Sequence, residues 1–205
     1  MRARRGRFIV LDGPDGCGKS TQARRLARRL RAEGRRVRVV REPGGTALGE
    51  SLRRRLLDPR ARLEPEVETL LFFAGRVALL ERVVRPAVER GGIVIGDRHT
   101  PSTVAYQGHA SGVGVARIFA LDRLVGARPR PDLVVLLDLD PRIARERRRG
   151  RDRFERRSLR FARAVREGFL AYAKAAPGRT AVVDASGHVG DVEAAIAREV
   201  SRVLR

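Results

Sequence analysis

The 205-residue chain is strongly basic: 45 Lys and Arg face 24 Asp and Glu, a formal net charge of +21, while 42% of residues are hydrophobic. That length and apolar content suit one α/β domain over residues 1–205, with no linker, repeat or low-complexity tract dividing it. Cys17, the single cysteine, excludes an internal disulfide, and the four apolar residues before Asp12 are too few for a signal core or membrane span, so a soluble cytoplasmic protein is expected.

In chain order, residues 7–11 read as a strand and 19–32 as a helix closed by Gly34. A second strand, 37–40, ends at Pro43-Gly44-Gly45, and a helix over 48–57 stops at Asp58-Pro59. Residues 64–89 are helical, with Pro86 marking a kink or break. The strand 92–96 delivers Asp97, helices follow over 100–107 and 115–125, and 133–137 is a further buried strand. Helices over 141–149 and 159–175 come next, the latter carrying Phe161, Val165, Phe169 and Tyr172 on one face. A strand at 181–183 and a helix over 192–204 close the pattern. Short apolar strands alternating with helices predict a five-stranded parallel sheet covered on both faces, with ligands gathered at the strands' carboxyl ends, where Gly13, Glu42, Asp97 and Asp138 fall.

The segment Gly13-Pro14-Asp15-Gly16-Cys17-Gly18-Lys19-Ser20 is a complete G-x-x-x-x-G-K-[ST] phosphate loop set between a strand and a helix. Its backbone N–H groups converge on polyphosphate oxygens, Lys19 reaches the outer phosphates, and the Ser20 hydroxyl can hold Mg²⁺. Cys17 is expected to be accessible, a small spacer rather than a nucleophile. Asp97 sits where a metal-associated acid belongs, and Arg98 beside it can present a planar fork to an acceptor phosphate; a bland alternative makes Asp97 only a helix cap. Arg41-Glu42-Pro43-Gly44-Gly45-Thr46 reads as a rigid turn with a charge pair at its entrance. Phe72 and Arg76, four apart, share a helical face and suit a flat, oxygen-bearing base, although on spacing alone a core Phe and a solvated Arg fit better.

The basic charge is almost wholly arginine, since Lys19 and Lys174 are the only lysines. Two readings stay open: a compositionally biased, solvated surface, which is favoured, or a nucleic-acid patch, which the seven Phe, two Tyr and absent Trp weaken.

The segments Gly13 to Thr21, Arg41 to Thr46, Phe72 to Arg76 and Asp97-Arg98-His99 through Gly108 resemble bacterial thymidylate kinases. The string Asp97-Arg98-His99-x-x-Ser102-Thr103-x-Ala105-Tyr106-Gln107 is the most specific, and Arg130-Pro131-Asp132 and Asp184-Ala185 extend the likeness along the chain. The resemblance implies a P-loop kinase fold with a mobile arginine-rich lid at about residues 146–157, transfer of phosphate from ATP-Mg²⁺ to dTMP, and a homodimer without membrane or specific nucleic-acid partners. It assigns ATP to Gly13, Pro14, Asp15, Gly16, Cys17, Gly18, Lys19, Ser20, Thr21 and Arg149. It places Glu42, Arg53, Phe72, Arg76, Arg98, Ser102, Thr103, Tyr106 and Gln107 around dTMP, with Phe72 stacking on the base and Tyr106 crowding the 2′ position. It implies that Lys19, Asp15, Asp97, Arg98 and Arg153 carry catalysis, and Ser20, Asp15, Asp97 and Glu155 the metal. The lid departs from the family pattern in one place, where Arg156-Arg157 follows Glu155 instead of an acid. Because the phosphate loop holds no arginine, the lid is the expected source of one for the transferring phosphate. Two rivals remain at this level: a kinase for another nucleotide or deoxynucleoside, and a nucleic-acid-binding P-loop ATPase.

Overall fold

A computed structural model describes residues 5–126, 128–147, 154 and 157–205. Its centre is β1 (Arg7–Asp12), whose residues alternate between two cores because successive strand side chains point to opposite faces. Ile9 and Leu11 join Ile93, Ile95, Val135 and Leu137 beneath α1 (Lys19–Ala32) and α9 (Val189–Leu204). Phe8 and Val10 join Val94, Val134 and Leu136 on the other face, with Leu79, Leu80, Val84, Val165 and Phe169. Each such fully buried aliphatic side chain contributes about 1.5–3 kcal/mol.

The remaining strands are β2 (Val37–Arg41), β3 (Ile93–Asp97), β4 (Leu133–Asp138) and β5 (Thr180–Asp184), all parallel in the order β2-β3-β1-β4-β5. The chain leaves β1 toward β2, returns to β3, then crosses β1 to β4, which opens a crevice at the carboxyl ends of β1 and β3. The register sets Leu11 beside Asp97 and Asp97 beside Arg41, so the donor loop, Asp97 and Glu42 converge there.

The helices α2 (Ala47–Leu57), α3 (Pro65–Leu79), α4 (Arg85–Glu89), α5 (Thr100–Thr103), α6 (Val115–Val125), α7 (Pro141–Arg147) and α8 (Leu159–Ala175) follow the expected order. Pro86 does not end the long helical region. A π-helical stretch, Leu80–Val84, joins α3 to α4, and the wider turn absorbs the N–H and the space that proline denies an α-helix. Residues 100–107 are likewise not one α-helix: α5 passes into a π-helical stretch, Val104–Ala110, and α9 begins three residues before the expected Val192. Gly168 of α8 lies against Ala105, where a Cβ would stand 2.7 Å from the Ala105 Cα, so α8 closes on this stretch only because residue 168 has no side chain.

Candidate active site

The donor loop runs from β1 into α1. Gly18, at φ 91°, begins α1 without a side-chain cap, and no acidic residue occupies its first turn, so the helix N-terminus presents bare N–H groups suited to an anion. Gly16 is required twice over: φ is 87°, and a Cβ would collide with the Ala144 carbonyl oxygen. Cys17 corrects its expected exposure: it is buried against the core, and burial raises its thiol above the ordinary value, which leaves it an inert spacer. Lys19 is likewise buried rather than spread on the surface, its Nζ donating to the Pro14 carbonyl at 3.0 Å, 4.0 Å from Asp15.

At the end of β3, Asp97 Oδ2 accepts from the Ser20 hydroxyl at 2.5 Å, which brings together two of the four groups expected to serve a metal. Among the described residues no group of three or more His, Cys, Asp or Glu could cage a metal. A few hard oxygen donors beside a phosphate loop are what Mg²⁺ uses when phosphates complete its shell, so this donor set fits it. Arg98 follows in the left-handed region at φ 76°, a conformation costing about 1–2 kcal/mol for a non-glycine residue. The turn carries its guanidinium back over the donor loop, where Nη1 donates to Ser102 Oγ at 2.7 Å and Gly13 O at 3.3 Å, and Nη2 pairs with Asp15. Burial would lower the Arg98 pKa, but Asp15, Tyr106, Asp12 and Asp97 hold it well above its ordinary value. The Tyr106 hydroxyl donates to the other Asp15 oxygen at 2.6 Å, and its ring packs among Phe154, Phe161 and Phe169.

Across the cleft the opposite wall, where the acceptor is expected, is built from separate elements. Arg76 of α3 is 2% exposed, against the spacing-only expectation of a solvated arginine. Its Nε donates to Glu42 Oε2 at 2.8 Å, its Nη2 to Thr103 Oγ1 at 2.9 Å, and the guanidinium lies 4.8 Å from the Phe73 ring. Burial pushes Glu42 up to about 7 although Arg76 pulls it down, while burial and the Arg76 charge hold the His99 imidazole well below its usual value. The expected Arg41–Glu42 pair is not made: Arg41, the last residue of β2, turns outward to Glu50, and Glu42, just past the strand, turns inward to Arg76. Gln107 Nε2 donates to Glu68 at 3.0 Å, and Arg53 Nη1 to the Pro43 carbonyl at 3.0 Å.

These groups line a cleft of about 470 Å³ that includes Asp15, Gly18, Lys19, Ser20, Thr21 and Asp97 on one side and Glu42, Arg53, Phe72, Arg76, Tyr106 and Gln107 on the other. Ser102 and Thr103 also line it; the Ser102 hydroxyl donates to Asp12 Oδ1 at 2.6 Å and accepts from Arg98 Nη1 at 2.7 Å. Asp138, at a strand end, is held bidentately by Arg166 at 2.7 Å and serves the fold. Arg149, Arg153 and Glu155 lie outside the described residues; Arg147, at the foot of that segment, donates to the carbonyls of Ala185 and Ser186.

Sequence reasoning missed Asp12, His99 and Glu68. Glu68 was readable, since 68, 72 and 76 fall at i, i+4 and i+8 on one face of α3. Asp12 shows only as an acid ending an otherwise apolar strand.

The family model of thymidylate kinases, described as Thymidylate kinase, matches residues 11–196. Thymidylate kinase of Deinococcus radiodurans is 47% identical over 199 residues, covering 96% of this chain and 97% of that one. The Pseudomonas fluorescens enzyme is 49% identical over 192 residues, covering 92% and 91%. The crystal structure of thymidylate kinase from Ehrlichia chaffeensis superposes with a TM-score of 0.80 at 32% identity, covering 96% of this chain and 99% of that chain.

Proposed function

The chain belongs to the thymidylate kinase family and phosphorylates dTMP, and from that premise we propose how its residues divide the work. ATP lies on the loop of residues 13–21, its phosphates met by Lys19 and by backbone N–H groups other than those of Gly13, which donates to Asp12, and Pro14, which has none. Ser20, Asp97 and Asp15, with Glu155, would hold Mg²⁺, which would neutralise phosphate charge. Arg98 exchanges its internal acceptors for the dTMP phosphate, a group already largely dianionic near neutrality, so transfer needs alignment and charge neutralisation rather than a strong base. Arg153 is the lid arginine for the transferring phosphate, and Arg149 assists at ATP.

Thymine stacks on Phe72 and meets Arg76. One observation carries the base reading: Arg76 Nη1 is buried and no acceptor meets it among the described residues, while the guanidinium's other nitrogens are fixed by Glu42 and Thr103. A carbonyl oxygen on a flat base supplies the missing acceptor in a site otherwise too dry for that N–H. Tyr106 stands at the sugar and disfavours a 2′-hydroxyl.

The protein acts in the cytoplasm as a single domain and as a homodimer. Among the described residues no helix is long and apolar enough to cross a membrane. The exposed Leu48 of α2, Val67 and Leu70 of α3 and Leu124 of α6 supply apolar surface on helices where α3 packs against both others, suited to a second copy. A coupled assay with ATP-Mg²⁺ and a panel of nucleoside monophosphates tests the assignment. dTMP should be the preferred acceptor, dUMP slower and UMP slowest; a faster purine or ribose monophosphate, or ATP hydrolysis stimulated by nucleic acid without an acceptor, overturns it.

A further inference from the structure

We propose that Asp12 is a positioning residue that locks the donor loop to the acceptor-phosphate grip, acting on Arg98 through the hydroxyl of Ser102 and through its own ion pair with Arg98 Nη1, 3.7 Å from Oδ1. The inference rests on the reading of Arg98 as the group that holds the dTMP phosphate.

Asp12 ends β1 and is 0% exposed. A carboxylate so placed is tolerated only when its oxygens are matched by donors. Here all four lone-pair directions are used. Oδ1 accepts from Gly13 N at 2.8 Å and Ser102 Oγ at 2.6 Å; Oδ2 accepts from His99 N and Ser102 N, each at 3.0 Å. These donors come from two segments alone, the first residue of the phosphate loop and the turn just after Arg98. Asp12 thus pins to one rigid strand end the two pieces that must face each other across the transferring phosphate.

The polarity of the link follows from hydroxyl chemistry. Ser102 owns one hydroxyl proton and spends it on Asp12, so its oxygen turns lone pairs toward Arg98 Nη1, 2.7 Å away. The same Nη1 reaches the carbonyl of Gly13, whose N–H is on Asp12. Asp12 also holds the two amides that follow Arg98, His99 N and Ser102 N, and so supports the left-handed backbone at φ 76° that aims the guanidinium. An asparagine of the same shape cannot do this. Its NH₂ must face either Gly13 N–H with the Ser102 hydroxyl or the N–H groups of His99 and Ser102, so at least one of these amides loses its acceptor, and the charge is gone.

The experiment compares dTMP with thymidine, which keeps base and sugar but lacks the phosphate, by calorimetry on the full chain and on Arg98→Ala, Ser102→Ala and Asp12→Asn, each with a thermal melt. All three variants should lose dTMP affinity about tenfold or more while thymidine affinity stays within about twofold, because the affected donors are charge-assisted and phosphate-directed. Asp12→Asn alone should also raise the KM for ATP, since it alone weakens the hold on Gly13 N, which then faces an NH₂ group or an uncharged carbonyl oxygen. Ser102→Ala keeps three of the four donors on Asp12, so it decides the matter if Asp12→Asn fails to fold. Equal loss of both ligands, or no loss, in Ser102→Ala overturns the inference while leaving Arg98 in place. If Arg98→Ala itself loses no more dTMP than thymidine, the reading of Arg98 is wrong and the inference falls with it.

Discussion

The donor loop and the acceptor wall are built on opposite plans. The loop is eight consecutive residues whose ligands are mostly backbone N–H groups, held by turn geometry at Gly16 and Gly18. The wall is side chains from distant segments, with Glu42 meeting Arg76 across 34 positions, Arg76 meeting Thr103 across 27 and Glu68 meeting Gln107 across 39. A site made of backbone tolerates side-chain change except at the one or two groups that touch ligand. A site made of buried charge couples recognition to stability, because its residues also hold one another.

The widest separation of activity from folding is therefore expected at Lys19. Lys19→Ala should lower kcat by about 10³-fold at saturating ATP. Its Nζ donates to the Pro14 carbonyl and lies only at the 4.0 Å limit from Asp15, so the thermal midpoint should move by no more than a few degrees. Coupled kinetics and a melt on the same preparation check both halves, and turnover within about tenfold of the parent breaks the comparison on the donor side.

Arg76→Ala should do the reverse and damage both properties. It strands Glu42 in a dry site, a loss of about 3–5 kcal/mol, and the thermal midpoint should fall by roughly 10 °C. The KM for dTMP should rise more than that for ATP. The double variant Arg76→Met with Glu42→Gln sharpens the point: it removes both charges, so most of the lost stability should return while dTMP recognition stays poor. If the double variant is as unstable as the single one, the stranded carboxylate is not the cause.

The smallest effect is the most specific. Since burial sets Glu42 at about 7, lowering the pH through 7 protonates it and frees Arg76 from its anchor. Thymidine has no titrating phosphate, so its affinity should weaken about three- to tenfold from pH 8 to pH 6 in the parent and stay flat in Glu42→Gln. Stability runs the other way. The folded value lies above the ordinary 4.5, so the folded state holds this proton more tightly than the unfolded chain. The contribution is fully present below about 4.5 and is lost as pH rises through about 7. A Glu42→Gln variant that keeps the parent's pH dependence of thymidine binding would remove Glu42 from this role.

Much of the molecule was legible one segment at a time. The strands around Ile9, Ile95 and Val135 showed as short apolar runs, α1 and α6 showed their full lengths, and the phosphate-loop motif showed its place between a strand and a helix. All of these depend on hydrogen bonds and periodicity within a few residues, so local order along the chain carries them. The π-helical stretches were not legible, because the wide turns at Leu80–Val84 and Val104–Ala110 lie where helices pack on the sheet and on α8 and carry no spacing of their own. Phe72 and Arg76 could be placed on one face, but only folding decided that Arg76 is buried rather than solvated, by bringing Glu42 and Thr103 to it. Asp12 was one acid among many until β1 and β3 paired and set four donors around it. A backbone turn is determined by its own residues, whereas a buried charge takes its protonation and its partners from whatever the rest of the chain packs against it.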